Sequence, residues 1–203
     1  GWHYADIDAP VALKDVFDAV PLKAMPEPVK SDLVPLPPAD TWVNLRSLGA
    51  KGDGVTDDTA ALRSAIAAHR AIYLPAGHYV ISDTLVLRPD TVLIGLHPLA
   101  TQIDLLDRTE AFQGVGAPKP MVEAPMGGKN VVIGIGVYSN GINPRAVGVK
   151  WMAGADSMMN DVRLLGGHGT NNLDGTRANP YNNNRTADPD VNRRWDGQYP
   201  SLW

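Results

Sequence analysis

From Ala71 to Gly169 the chain is a succession of short β-prone pieces, and helical periodicity does not return anywhere among them. They read AIYLP, HYVIS, TLVLR, TVLIGL, TQIDLL, NVVIGIGVY, AVGVKW and NDVRLLG, most of them separated by Gly, Pro, Asn or Asp. Continuous apolar runs such as Val131 to Ile135 suit strands covered on both faces. Strands with turns at about ten-residue spacing fit a sandwich, a barrel or a solenoid. Three features favour the solenoid. The only Asn-Gly hairpin signal is Asn140-Gly141, the links vary in length, and a single amphipathic segment precedes the strands, where an open solenoid end has to be covered.

That segment follows the stretch GAKGDGVTDDTAAL, residues 49 to 62. Leu62, Ala65, Ile66 and His69 recur at helical spacing and predict a helix of about three turns. Thr56 or Asp57 is the expected N-cap, with Asp57 and Asp58 in the first turn. The stretch lacks the Lys-Ser or Lys-Thr of a phosphate loop and the acidic spacing of an EF-hand. Gly52, Asp53, Gly54, Thr56, Asp57 and Asp58 are therefore read as a structural cap: glycines for tight turning, Asp and Thr for orphan amides. Upstream, TWVNLRSLGA alternates through Trp42, Val43, Leu45 and Leu48 as a strand with one buried face does.

Residues 1–40 hold seven of the seventeen prolines, a density that stops both helices and central strands, so this part reads as an arm or linker. ALKDVFDAV (Ala12 to Val20) is a short amphipathic piece within it. The remaining divisions are a strand–loop–helix cap over 41–70, coils over 71–169 and a long Asn- and aromatic-rich loop over 170–203. The first residue is not Met and the last stretch, DGQYPSLW, has no terminating element, so a processed or partial chain is expected, with further coils in the same protein or another chain.

A net charge of −4 provides no basic field for nucleic acid or anionic lipid. No apolar run reaches the roughly 20 residues of a membrane-spanning helix. The absence of Cys removes thiolate chemistry and Cys-ligated zinc. His3, His69, His78, His97 and His168 lack paired ligand spacing, so no metal site is expected.

The run VNLRSLGAKGDGVTDDTAALRSAIAAHRAIYLPAGHYVISDTLVLRPDTVLIGL, Val43 to Leu96, resembles the N-terminal cap and first coil of the pectate-lyase-like superfamily of right-handed parallel β-helices. Polygalacturonases, family 55 β-1,3-glucanases and phage tailspikes are among its members. The resemblance covers about a quarter of the chain and implies an all-β, single-stranded parallel β-helix behind a capping helix. It also implies a polysaccharide or oligosaccharide laid along a groove, and a secreted, periplasmic or cell-surface location. Family 55 enzymes join two β-helical modules by a linker, which suits the Pro-rich arm.

The best local candidate for chemistry is NDVRLLGGHGTNNLDGTR, Asn160 to Arg177. Its GGHGT resembles one of the four polygalacturonase motifs; the other three are missing. Asp161, His168 and Asp174 are the candidate catalytic groups. Arg163, Arg177, Tyr181, Trp195 and Tyr199 are candidate sugar contacts, flat faces and hydrogen-bond donors being what ligand sites combine. The alternatives are a strand, Val162 to Leu165, leaving into a loop, and aromatics that pin a long insertion to the solenoid. Asn184 heads an N-glycosylation sequon. The leading expectation is a glycoside hydrolase acting on a β-glucan or pectin-like polymer without a cofactor. A lyase on uronate polymers, which would add calcium, and a non-enzymatic glycan-binding tailspike or adhesin are the alternatives.

Overall fold

The computed structural model describes residues 19–28, 34–140, 143–166 and 201–203. The chain divides into two compact units, Gly1–Asp32 and Leu33–Trp203. In the first, the described residues 19–28 have no helix or strand and expose Val20, Leu22 and Met25. No helix among the described residues is long and apolar enough to cross a membrane.

The second unit is a right-handed parallel β-helix, and every strand pair in it is parallel. Its strands are β1 (Val43–Asn44), β2 (Asp53–Asp57), β3 (Ala71–Leu74), β4 (Gly77–Val80), β5 (Leu85–Val86), β6 (Val92–Gly95), β7 (Thr101–Asp104), β8 (Lys119–Ala124), β9 (Val131–Tyr138), β10 (Ala146–Trp151) and β11 (Met158–Leu165). Helix α1 (Thr59–Ala68) lies between β2 and β3. One face of the solenoid stacks β1, β3, β6 and the first halves of β9 and β11. A second stacks β2, β4, β7 and the second halves of β9 and β11. The third stacks β5, β8 and β10. In the first turn of the solenoid, α1 takes the place in the chain that a third-face strand takes in later turns, which is how the lower end is covered.

Strand alternation sends one set of side chains inward, where they stack in axial columns. Ile72, Leu93 and Val132 form one such column and Tyr79, Ile103 and Val137 another, while Leu85, Val122 and Val149 line the third face. All of these are buried, and Leu62, Ala65 and Ile66 of α1 join the same core. Outside the first face, Ala71, Val92, Ile94 and Val131 form a second apolar cluster, and Val34, Leu36 and Trp42 pack over it. The last residues of the proline-rich stretch thus lie on the sheet.

The cap differs in detail from expectation. Neither Thr56 nor Asp57 is the N-cap residue. Asp58 is, yet its buried carboxylate turns away from the helix and accepts from the amides of Lys51 (2.7 Å) and Gly52 (2.8 Å). Asp57 accepts from the Thr59 amide at 2.9 Å in its stead, and Thr56 donates its hydroxyl to Asp53. Residues 53–57, read as loop, form β2. The expected strand from Trp42 to Leu48 is only Val43–Asn44, because the Asn44 side chain accepts from Arg46 N and starts a 3-10 turn, Leu45–Leu48, closed by Gly49 at φ 101°. KPMVEA forms β8, a strand the sequence reading passed over. Residues 201–203, assigned to the terminal loop, instead bond to the third face: Val149 and Trp151 donate to Ser201 O and Trp203 O, and Trp203 donates to Val149 O.

Candidate functional site

The first and second faces meet at a corner that changes along the stack. At the lower rungs a loop joins β6 to β7. Higher up, β9 and β11 run through the corner on one residue each, in the left-handed conformation: Gly134 at φ 67° and Asp161 at φ 49°. These two are stacked, since Asn160 pairs with Ile133 and Val162 with Ile135. Gly134 suits its place doubly, because a Cβ there would lie 2.7 Å from Gly95 O. Asp161, one rung above, carries a full side chain in a conformation that costs a non-glycine residue about 1 kcal/mol.

Beside this corner lies a cleft of about 530 Å³. Leu36 and Trp42 form one wall, Tyr73 and Ile133 belong to the sheet, and Asn160 and Asp161 are exposed at the rim. The Trp42 and Tyr73 rings lie 6.2 Å apart at 35°. Trp42 spends its only polar group on Pro37 O at 2.9 Å, so its faces remain as apolar surface. The result is an aromatic and aliphatic floor with an amide and a carboxyl at one edge, the combination that orients a ligand having both apolar faces and hydroxyls. Asp161 is the single carboxylate among the described residues that line it.

The predicted site residues separate. Asp161 is in the cleft, whereas Arg163, two residues on, is exposed on the outer side of the second face, in register with Gly136. The corner at Asp161 divides two residues that the sequence reading grouped at one rim. His168, Asp174, Arg177, Tyr181, Trp195 and Tyr199, like Asn184, lie outside the described residues. Trp42 and Tyr73 were not among the candidates. Their signal was an aromatic two residues before Asn44, whose strand partner is Tyr73, and it becomes readable only through the parallel register of β1 and β3.

The cap carboxylates are committed to the backbone and its neighbours. Hydrogen bonds from the Thr56 amide and hydroxyl and the Val55 amide bring Asp53 down to about 2. At Asp57 burial pushes upward, but bonds from Ser82 and Thr59 and the charge of Arg63 outweigh it and leave the group lowered. At Asp83 burial is likewise outweighed, by Lys119 at 2.8 Å and Arg63 at 2.7 Å, so it is held well below the usual carboxylate range.

A stack of parallel rungs closed at one end by a helix defines the class of capped parallel β-helices. Residues 42–192 match the family described as Rhamnogalacturonase A/epimerase, pectate lyase-like, and the chain belongs to it. It is 29% identical over 164 residues to a probable glucan endo-1,3-beta-glucosidase of Arthroderma benhamiae, a match covering 74% of this chain and 18% of that protein. It is 40% identical over 76 residues to alginate lyase 7 of Azotobacter vinelandii, covering 32% of this chain and 9% of that protein. The A-module of the mannuronan C-5 epimerase AlgE4 from the same bacterium superposes with a TM-score of 0.40 and 28% identity over 54% of this chain and 31% of that one. The chain therefore spans less than a fifth of the length of these two sequence relatives.

Proposed function

We propose that this chain supplies the cap and first rungs of a glycoside hydrolase, and that the cleft between Trp42, Tyr73 and Asp161 holds a sugar of its polysaccharide. The observation that carries the reading is Asp161 itself. Gly134 makes the same turn one rung below without strain, so a glycine would serve the fold at least as well; an acidic side chain placed there, on the lip of an aromatic cleft, is explained by a ligand. Glycoside hydrolysis takes two carboxyls flanking the scissile bond, about 5 to 5.5 Å apart for retention and about 6.5 to 9.5 Å for inversion. Asp161 serves as one of them. Its partner comes from outside the described residues, Asp174 being the candidate within this chain, or from further coils. The similarity to a probable glucan endo-1,3-beta-glucosidase along most of the chain supports a β-glucan substrate. A polymer of that size meets the protein outside the cytoplasm, as a secreted, periplasmic or surface-exposed protein would.

The test combines binding and turnover. Laminarin, polygalacturonate and alginate are each incubated with the protein, and reducing ends and the absorbance of unsaturated products are read separately. Reducing ends from laminarin without unsaturated product are expected. Unsaturated product from a uronate polymer would replace hydrolysis with elimination, the reading that the alginate lyase match favours. Asp161→Gly is expected to keep or raise the melting temperature while weakening laminari-oligosaccharide binding by about tenfold, the loss of one good hydrogen bond to a ligand. Trp42→Ala should weaken it at least as much. Full binding by both variants would remove the cleft from the function.

A further inference from the structure

On the second face, away from the cleft, His78 of β4 and Asp104 of β7 stand on adjacent rungs. Both point outward, because Tyr79 and Ile103 between and beside them point into the core. His78 Nδ1 lies 2.6 Å from Asp104 Oδ2. The carboxylate side chain is 10% exposed and the imidazole 52% exposed. Burial pushes the Asp104 carboxyl up, and its bond to His78 and the charge of the ring act against that.

As a structural element this pair is a poor bargain. A half-exposed carboxylate–imidazole contact contributes little to stability. Against that stands a buried carboxylate whose Oδ1 has no hydrogen-bond partner among the described residues, which costs more than such a contact returns. Val80, in register with Asp104 on the rung below and itself buried, shows that this column takes an apolar side chain. What the carboxylate does accomplish is to orient the ring. With Asp104 ionised, Nδ1 donates to it, and Nε2 is left facing outward. His78 makes no other side-chain hydrogen bond among the described residues.

We propose that His78, oriented by Asp104, is the centre of a second ligand site, distinct from the Trp42–Tyr73 cleft, that accepts a hydroxyl of a neutral saccharide. The surroundings select that chemistry. Asp53 is in register with His78 on the rung below and Asp57 with Val80, and both carboxyls are held in the ionised form by their own hydrogen bonds, which disfavours an anionic sugar here. No group of three or more His, Asp or Glu side chains placed to share a metal ion gathers here among the described residues. Gln102 stands one rung above His78, and its amide group donates to Leu99 O. One rung further, the Pro98 carbonyl covers Gly136 so closely that a Cβ there would collide with it. The column of side chains above His78 is therefore covered, and His78 is its outermost polar group. Asp104 is a positioning residue: it acts through His78.

Nitrogen-detected NMR of the imidazoles in the whole chain provides the test. The His78 spectrum is expected to show the Nδ1–H tautomer, and Asp104→Asn to lose that fixed tautomer while circular dichroism remains unchanged. Neutral laminari-oligosaccharides should shift His78 Nε2 in the wild type and equally in Trp42→Ala, which separates this site from the cleft. His78→Gln, an exposed change that leaves the fold intact, should weaken the second binding event by about tenfold. A His78 resonance unmoved by neutral oligosaccharides overturns the proposal. So does a shift that vanishes in Trp42→Ala, because it would come from the cleft, or one produced only by oligouronates.

Discussion

Gly52 shows how tightly single residues are specified in the cap. Its φ is 59°, and a Cβ built on it would lie 2.8 Å from the buried ring of Tyr79, whose hydroxyl is in turn held by Pro75 O at 2.9 Å. Neither the backbone nor the ring can yield. Gly52→Ala is expected to destabilise the protein by about 1–3 kcal/mol, read as a lowered denaturant midpoint. Asp58 is equally committed, since its buried carboxylate serves two amides of the preceding turn. Asp58→Ala would strand both donors and is expected to cost about 3 kcal/mol, whereas Asp90→Ala, removing an exposed ion pair with Arg88, should change stability by less than about 1 kcal/mol. The sequence shows that these acids and glycines belong to a cap. It does not show which amide each acid serves, because the choice between Asp57 and Asp58 as helix partner is made by the return of the chain at Lys51 and Gly52, a contact without a local signature.

Among the elements, β9 and β11 are the ones that bring two faces together without a loop, and their corner is sensitive. Gly134→Ala combines a positive φ with a Cβ 2.7 Å from Gly95 O, and it is expected to lower stability by about 1–3 kcal/mol, measured by urea unfolding. Most elements were legible from their β-branched runs. Those that were not have physical reasons. β8 contains Pro120, which reads as a breaker; its carbonyl nevertheless accepts from the Thr84 hydroxyl at 2.6 Å, and the strand lies between β5 and β10. β2, with two Asp and a Gly in five residues, has weak strand propensity and is held by irregular pairing with β4. Trp42 and Tyr73 were visible as residues but not as a cleft, since parallel stacking joins positions whose separation in sequence depends on the intervening helix. Asp161 was read as a candidate catalytic group just ahead of a strand, Val162 to Leu165; it lies instead inside β11, in a turn conformation that has no local signature.

For the molecule as a whole, acid sensitivity is concentrated at the capped end. Asp53, Asp57 and Asp83 all have folded-state values below those of an unfolded chain, about 3.9. Their contribution is complete above that value and is lost as pH falls from about 4 through the folded value, near 2 for Asp53. Asp104 is shifted the opposite way, so its burial penalty is relieved on acidification and partly offsets the loss. The melting temperature is expected to drop below pH 4, and Asp53→Asn should flatten that drop. The rungs also differ in how much chain they need to come round: Ala71, Val92, Val131 and Met158 stack directly although the intervals between them are unequal. Excursions such as the one between β7 and β8 are thus decoupled from the repeat, much as pages of unequal width can share one spine. A peptide spliced in near the exposed Val115 would lengthen a margin and leave the binding intact.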